Sequence, residues 1–263
     1  MYFTYCIEVV YNLQVQFLNT KEVEKMDLES RIVSPQKLVQ SQGAKILCYG
    51  MAGAGKTSLA KSAPGKVLII SAEAGLLSIK DATNIDAIEV KEASEVMELH
   101  EALKSGKLKY DTVCLDSISE ISEILLAWEK SRSKDPRMAY ANVQESVTNV
   151  MRAFRDLNMH VLFLCKEAKV NVDGLMDYAP KMVGTKLGQD ITYFFDEVLA
   201  LRVIDDQDEE GNNVQTRWLQ TRIGQGYTAK DRSGKLEAFE KPNVSALIEK
   251  LGFSLTNQKT KGE

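Results

Sequence analysis

The chain has 263 residues, 44% of them hydrophobic, enough for one large α/β domain with a real core. Its formal net charge of −4 gives no global basic field to draw in a nucleic acid, although a local basic strip can still do so. The two histidines, His100 and His160, and four cysteines without metal spacing argue against a zinc site. No apolar run is long enough to span a bilayer, and the N-terminus lacks the basic start and small-residue cleavage site of a signal peptide, so the expected location is the cytoplasm of a cell or of an infected host. Cys48, Cys114 and Cys165 sit inside apolar runs and are read, with Cys6, as reduced cytosolic thiols.

In chain order, residues 1–18 alternate: Phe3, Tyr5, Ile7, Val9, Tyr11, Leu13, Val15 and Phe17 take every odd position, the period of a strand. Residues 19–42 turn polar and read as a linker or a loosely packed helix. Residues 1–42 are therefore an N-terminal extension. Its strand either pairs with a neighbouring subunit or, since Met26 opens a new polar run, lies upstream of the functional domain. The domain itself is expected over 43–252, with a polar tail at 253–263. A short apolar strand is predicted at 45–49, a helix at 57–62 stopped by Pro64 and Gly65, a buried strand at 67–71 and another short strand at 85–90. A helix follows at 93–104, with Val96, Leu99 and Leu103 on one face, then a core strand at 112–116. Helices at 119–130 and 140–157 flank a polar break at 131–137 that contains Pro136, and 160–165 is a strongly apolar strand. Strands alternating with helices in this way imply βαβ units and a mostly parallel sheet flanked by helices. The last third adds antiparallel strands at 196–203 and 214–221 around a turn, and a closing helix at 244–251.

Gly50-Met51-Ala52-Gly53-Ala54-Gly55-Lys56-Thr57 fits G-x-x-x-x-G-K-[ST], with a strand before and a helix, opening through Ser58, after. Glycines let the backbone curl until successive N–H groups face a polyphosphate, and the helix N-terminus adds positive potential. Lys56 is assigned to the β- and γ-phosphates, and the Thr57 hydroxyl to Mg²⁺. The cofactors so implied are ATP and Mg²⁺. A second carboxylate for the metal is Asp116, at the end of the 112–116 strand, where open α/β sheets bind ligands. Asp116 also suits the N-cap of the next helix, and the two roles are compatible. A hydrolase needs a group to activate water. Ser117 follows Asp116, so the glutamate that many AAA+ ATPases carry there is missing. Glu73 is the other candidate, at the end of the strand after the phosphate loop, among the small residues Ala72, Ala74 and Gly75.

A strand, Ala-Glu and small residues after the loop helix make the chain resemble the RecA-type ATPases, and the resemblance implies that Glu73 activates the attacking water. The strand Phe163-Leu164-Cys165 is similar to the one whose end senses the γ-phosphate in that family, commonly through glutamine. Lys166 holds that position here, with Glu167 beside it. Lys230 and Arg232 of Thr228-Ala229-Lys230-Asp231-Arg232 resemble the basic-x-basic segment that reaches a neighbouring subunit's nucleotide. Within the class, "AEAGL", "YDTVCLDSISEI" and "AKDR" make the chain look most like the compact phage ATPases of the single-strand-annealing recombinase group, over about residues 45–251.

That resemblance implies a homo-oligomer with nucleotide at the subunit interface, a single-stranded DNA partner, and an associated single-strand-binding or replication protein. The first DNA loop is expected at 130–140, with Lys130, Arg132, Lys134, Arg137 and Tyr140. The second is a long irregular loop at 167–186, with Lys169, Tyr178, Lys181 and Lys186. Two other readings stay open. One is a nucleotide-gated interaction protein that binds ATP with little turnover. The other is a small-molecule kinase, which needs an arginine-rich lid where only Arg217 and Arg222 sit together.

Overall fold

The computed structural model describes residues 32–172 and 174–256; the expected N-terminal strand and Cys6 lie outside them. The chain divides into two compact units, 1–38 and 39–263, and apart from helix α1 (Pro35–Gln42), which is exposed at every position, the elements that follow belong to the second.

Five parallel strands form the framework: β1 (Lys45–Gly50), β2 (Val67–Ser71), β3 (Ile85–Glu89), β4 (Thr112–Asp116) and β5 (His160–Val172). A sixth, β7 (Glu197–Gln207), joins β1 in parallel on the side away from β5. The order runs β3-β2-β4-β5-β1-β7, and antiparallel β8 (Asn213–Gln220) and β10 (Phe239–Glu240) extend it beyond β7. Off this path, β6 (Leu175–Pro180) pairs with β5 and the two-residue β9 (Lys230–Asp231) pairs with β7. The fold is thus a mostly parallel sheet flanked by helices, with antiparallel strands added in the C-terminal third, as the order of predicted strands and helices implies.

Strand periodicity sorts the core into two layers. Leu47, Tyr49, Leu68, Ile70, Val113, Leu115, Val161 and Phe163 face helices α3 (Ala93–Lys104), α4 (Ile118–Arg132) and α5 (Pro136–Arg155) through Val96, Ile121, Val147 and Phe154. The intervening residues Ile46, Cys48, Ile69, Cys114, Leu162 and Leu199 face α2 (Lys56–Leu59) and α7 (Val244–Leu251) through Leu59, Leu247 and Ile248. Burying each such Leu, Ile or Phe contributes ~1.5–3 kcal/mol. Cys48, Cys114 and Cys165 are free, buried thiols; burial pushes Cys48 and Cys165 up to about 12, so they stay protonated and packed.

Two expectations are corrected. The break at 131–137 shrinks to 133–135, because the Asp135 side chain accepts from Arg137 N at 2.8 Å and Pro136 takes the first helical position. Proline there starts α5 rather than interrupting it. The second loop is no irregular stretch either. Residues 167–172 continue β5 and pair with β6 from Glu167↔Pro180 to Val172↔Leu175, before the short helix α6 (Thr185–Asp190). The alternation Ala168, Val170, Val172 against Glu167, Lys169, Asn171 carried that period of two under a polar composition.

Helix directions fix what stands over the nucleotide edge. α4 leaves Ser117 at the C-terminal end of β4. α5 leads to Leu157 and Met159, whose carbonyls accept from Lys45 Nζ at the start of β1. Glu129 of α4 accepts from Asn142 and Ser146 of α5, so the two helices lie side by side. A 20-residue α5 spans ~30 Å, against ~17–20 Å for five- or six-residue strands, so the α4–α5 hairpin rises beyond the C-terminal edge of the sheet. The β5–β6 hairpin rises from the same edge. Among the described residues no helix is long and apolar enough to cross a membrane.

Candidate functional site: a phosphate loop beside two carboxylates

The loop from β1 to α2 is shaped by its glycines. Gly53 and Gly55 have φ of 78° and 101°, which a side chain disfavours, and a Cβ on Gly50 would lie 2.7 Å from Leu201 O. Lys56 folds back across the loop, its Nζ donating to Gly50 O at 2.8 Å and Met51 O at 2.9 Å. Thr57 Oγ1 donates to Asp116 Oδ2 at 2.6 Å.

Asp116 is buried at the end of β4. Burial raises its pKa above the ordinary carboxylate value; the Thr57 hydrogen bond opposes this and the charge of Glu73 reinforces it. Ser117, not Asp116, caps α4, accepting from Glu120 N at 3.2 Å. Asp116 is thereby left to Thr57. A hydroxyl and a buried carboxylate, with a second carboxylate near, are a hard-oxygen donor set that fits Mg²⁺.

Glu73 reaches the same place from β2. Ser71 pairs with Asp116, and Ala72 N donates to Asp116 O at 2.8 Å. The Glu73 Oε1 accepts from the buried Ser117 hydroxyl and lies 3.5 Å from Lys166 Nζ. Lys166 pairs with Gly50 across β5 and β1, so the structure brings it to the phosphate loop, and its closer partner is Glu120 Oε2 at 2.5 Å. Burial pulls Lys166 down, but Glu120 and Glu73 outweigh it and leave its pKa raised.

A cavity of about 560 Å³ gathers Ala52 through Leu59 with Glu73 and Asp116, and adds Ser78, Leu201, Arg217 and Pro242. Sequence reasoning missed the parts of Ser117, Glu120 and Arg217. The first two were legible as Ser-x-x-Glu at a helix start. Arg217, whose Nε donates to Ala54 O at 3.0 Å, gave no local signal.

The remaining candidates lie away from the cavity. Lys230 and Arg232 follow β7 near its start, where Val198 pairs with Leu47 rather than with the loop. Lys230 Nζ donates to Thr192 O at 2.6 Å and Arg232 Nη1 to Asp196 Oδ1 at 2.7 Å. Lys130 and Arg132 end α4, Lys134 is exposed in the connection, and Arg137 and Tyr140 begin α5. Lys130 Nζ lies over Tyr140 at 5.0 Å and Arg132 over Trp128 at 4.4 Å. On the other hairpin Lys169 Nζ is 5.4 Å from the Tyr178 ring, which stacks on Tyr227 at 4.6 Å. Lys181 is exposed after β6, and Lys186 lies in α6.

A glycine loop ending in Lys-Thr between a central parallel strand and a helix, with a facing carboxylate, defines a P-loop ATPase domain. A family model described as an AAA domain matches residues 42–233, and the chain belongs to that family. No curated protein matches it at a significant level of similarity. One solved structure similar to it is a prototypical ATPase from the type III secretion system of pathogenic bacteria, 15% identical with a TM-score of 0.44. The match covers 61% of this chain and 52% of that one, so the chain spans about half the length of the solved protein.

Proposed function

We propose that this AAA domain is an Mg²⁺-dependent ATPase that works on single-stranded DNA, as an oligomer, in phage-type recombination, repair or annealing. The observation that carries it is the placement of Glu73, held by Ser117 and Lys166 beside the Thr57–Asp116 pair. In this reading the loop amides and Lys56 bind the triphosphate, and Lys56 exchanges its two carbonyl partners for phosphate oxygens. Thr57 and Asp116 would hold Mg²⁺, which supplies charge neutralisation of the polyphosphate. Glu73 orients a water and takes its proton, and Lys166 meets charge developing on the γ-phosphoryl group. Lys230 and Arg232 act on a neighbouring subunit's nucleotide, releasing Thr192 and Asp196.

Support for DNA comes from the two hairpins above the nucleotide edge. Each presents cations over aromatic rings: Lys130 on Tyr140 and Arg132 on Trp128, then Lys169 on Tyr178. Such pairs suit stacked bases and a phosphate backbone, with Lys134, Arg137, Lys181 and Lys186 adding charge. The group resembled also implies a single-strand-binding or replication protein as partner. One contact favours the alternative, a nucleotide-gated interaction protein with little turnover: Glu73 Oε1 is already engaged by both Ser117 and Lys166.

The test is ATPase activity with and without single-stranded DNA, on the full chain and on residues 26–263, with DNA binding followed against salt. The proposal expects stimulation and binding that falls as salt rises. Unstimulated turnover together with no salt-sensitive binding would remove the DNA role.

A further inference from the structure

Arg217 lines the cavity but has no part in the hydrolytic mechanism proposed above. It stands on β8 opposite Val203. Strand alternation puts it on the face of Leu219, which packs in the layer that holds Ala54 and Leu59. Its Nε donates to Ala54 O, and a Cβ on Gly55 would lie 3.5 Å from that nitrogen. Glycine at 55 therefore serves both the loop's left-handed turn and the approach of the guanidinium. Arg217 takes part in none of the ion pairs among the described residues. A guanidinium without a carboxylate partner, set in the wall of an anion pocket, suits a phosphate.

Sheet order says which part of the nucleotide it meets. Glu73 and Asp116 enter the cavity from β2 and β4, on one side of β1. Arg217 enters from β8, and Pro242 from just after β10, on the other side. A polyphosphate laid along the loop with its γ-end at Asp116 and Glu73 must direct its nucleoside end toward Arg217, Leu201 and Pro242. We propose that Arg217 is a nucleotide-binding residue acting in cis, gripping the α-phosphate and sugar end of a nucleoside triphosphate or diphosphate. The assignment rests on the ATPase reading and extends it to the far end of the same ligand. It also gives the antiparallel C-terminal strands a role, since they carry a cation to the loop from outside the parallel framework.

The experiment compares the full chain with Arg217→Gln and Arg217→Lys. It measures ATP and ADP affinity, turnover at saturating ATP and the melting temperature without nucleotide. It also maps which arginines ADP shields from phenylglyoxal. The expected result for Arg217→Gln is a loss of about tenfold or more in affinity for ATP and ADP alike, with their ratio unchanged. Turnover at saturation should stay within about twofold, since the contact is made equally before and during the reaction. Arg217→Lys should recover part of the affinity, and ADP should shield Arg217 but not the exposed Arg222. Unchanged affinities would overturn the proposal. So would a fall in turnover alone, which would place Arg217 at the γ-end. So would a lowered melting temperature with no shielding by ADP, which would make it only a strut for Ala54. If the parent chain itself binds neither ATP nor ADP, it is the ATPase reading that fails.

Discussion

Glu73 lies where three strands and a helix converge, and each partner constrains one side of it. Ser117 donates to Oε1 while accepting the α4 amide of Glu120, and Glu120 in turn holds Lys166. Glu73→Gln keeps the shape and an acceptor for Ser117 but removes the proton acceptor for water. Turnover should then fall by about 10²–10⁴-fold, with ATP affinity changed by no more than a few-fold. Single-turnover and equilibrium binding measurements separate the two quantities, and retained turnover would take Glu73 out of the chemistry. Residues of this kind were legible where their signal was local. The loop is eight consecutive residues between a strand and a helix, and Glu73 and Asp116 each sit at or just past a strand end. Arg217 was not legible, because its partner Ala54 lies 163 residues earlier and only the pairing of β8 with β7 joins them.

Among the elements, β7 carries an internal tension. Glu197 opens it, buried between β1 and β9 and opposite Asp231, with Oε2 lacking a hydrogen-bond partner among the described residues. Burial first, and then the charge of Asp231, push its pKa up from 4.5 to about 8. A carboxyl raised on folding contributes stability that is full below its unfolded pKa and is lost as pH climbs through the folded one. Melting temperature should therefore drop between about pH 5 and about pH 9, and Glu197→Gln should flatten that drop. The variant should be more stable than the parent by on the order of 2 kcal/mol at the alkaline end, with little difference at the acid end. Parallel melting curves across the range would refute this explanation. Element boundaries followed how cleanly apolar periodicity showed. The strand Thr112–Asp116 and the helices Ala93–Lys104 and Val244–Leu251 fall where the pattern puts them. The β5–β6 hairpin escaped notice because its polar face hid the alternation, and α5 began early because Pro136 reads equally as a breaker or a first helical residue.

Across the whole molecule the nucleotide edge is tied to what rises above it. Tyr49, the last residue before the phosphate loop, is fully buried, and its hydroxyl donates to Tyr178 O at 2.9 Å and Thr228 O at 2.7 Å. One side chain thus links the loop to the β5–β6 hairpin and to the segment that leads into Lys230. Through it, a change at the phosphate loop has a direct covalent and hydrogen-bonded route to the proposed DNA surface. Both depend on Lys56 and the loop amides taking hold of a polyphosphate. Equilibrium titration of labelled ATP against the full chain and Lys56→Ala tests this most directly, with melting curves as the folding control. The variant is expected to melt within a few degrees of the parent and to bind ATP about a hundredfold or more weakly. Equal affinity in a folded Lys56→Ala would contradict the P-loop assignment itself.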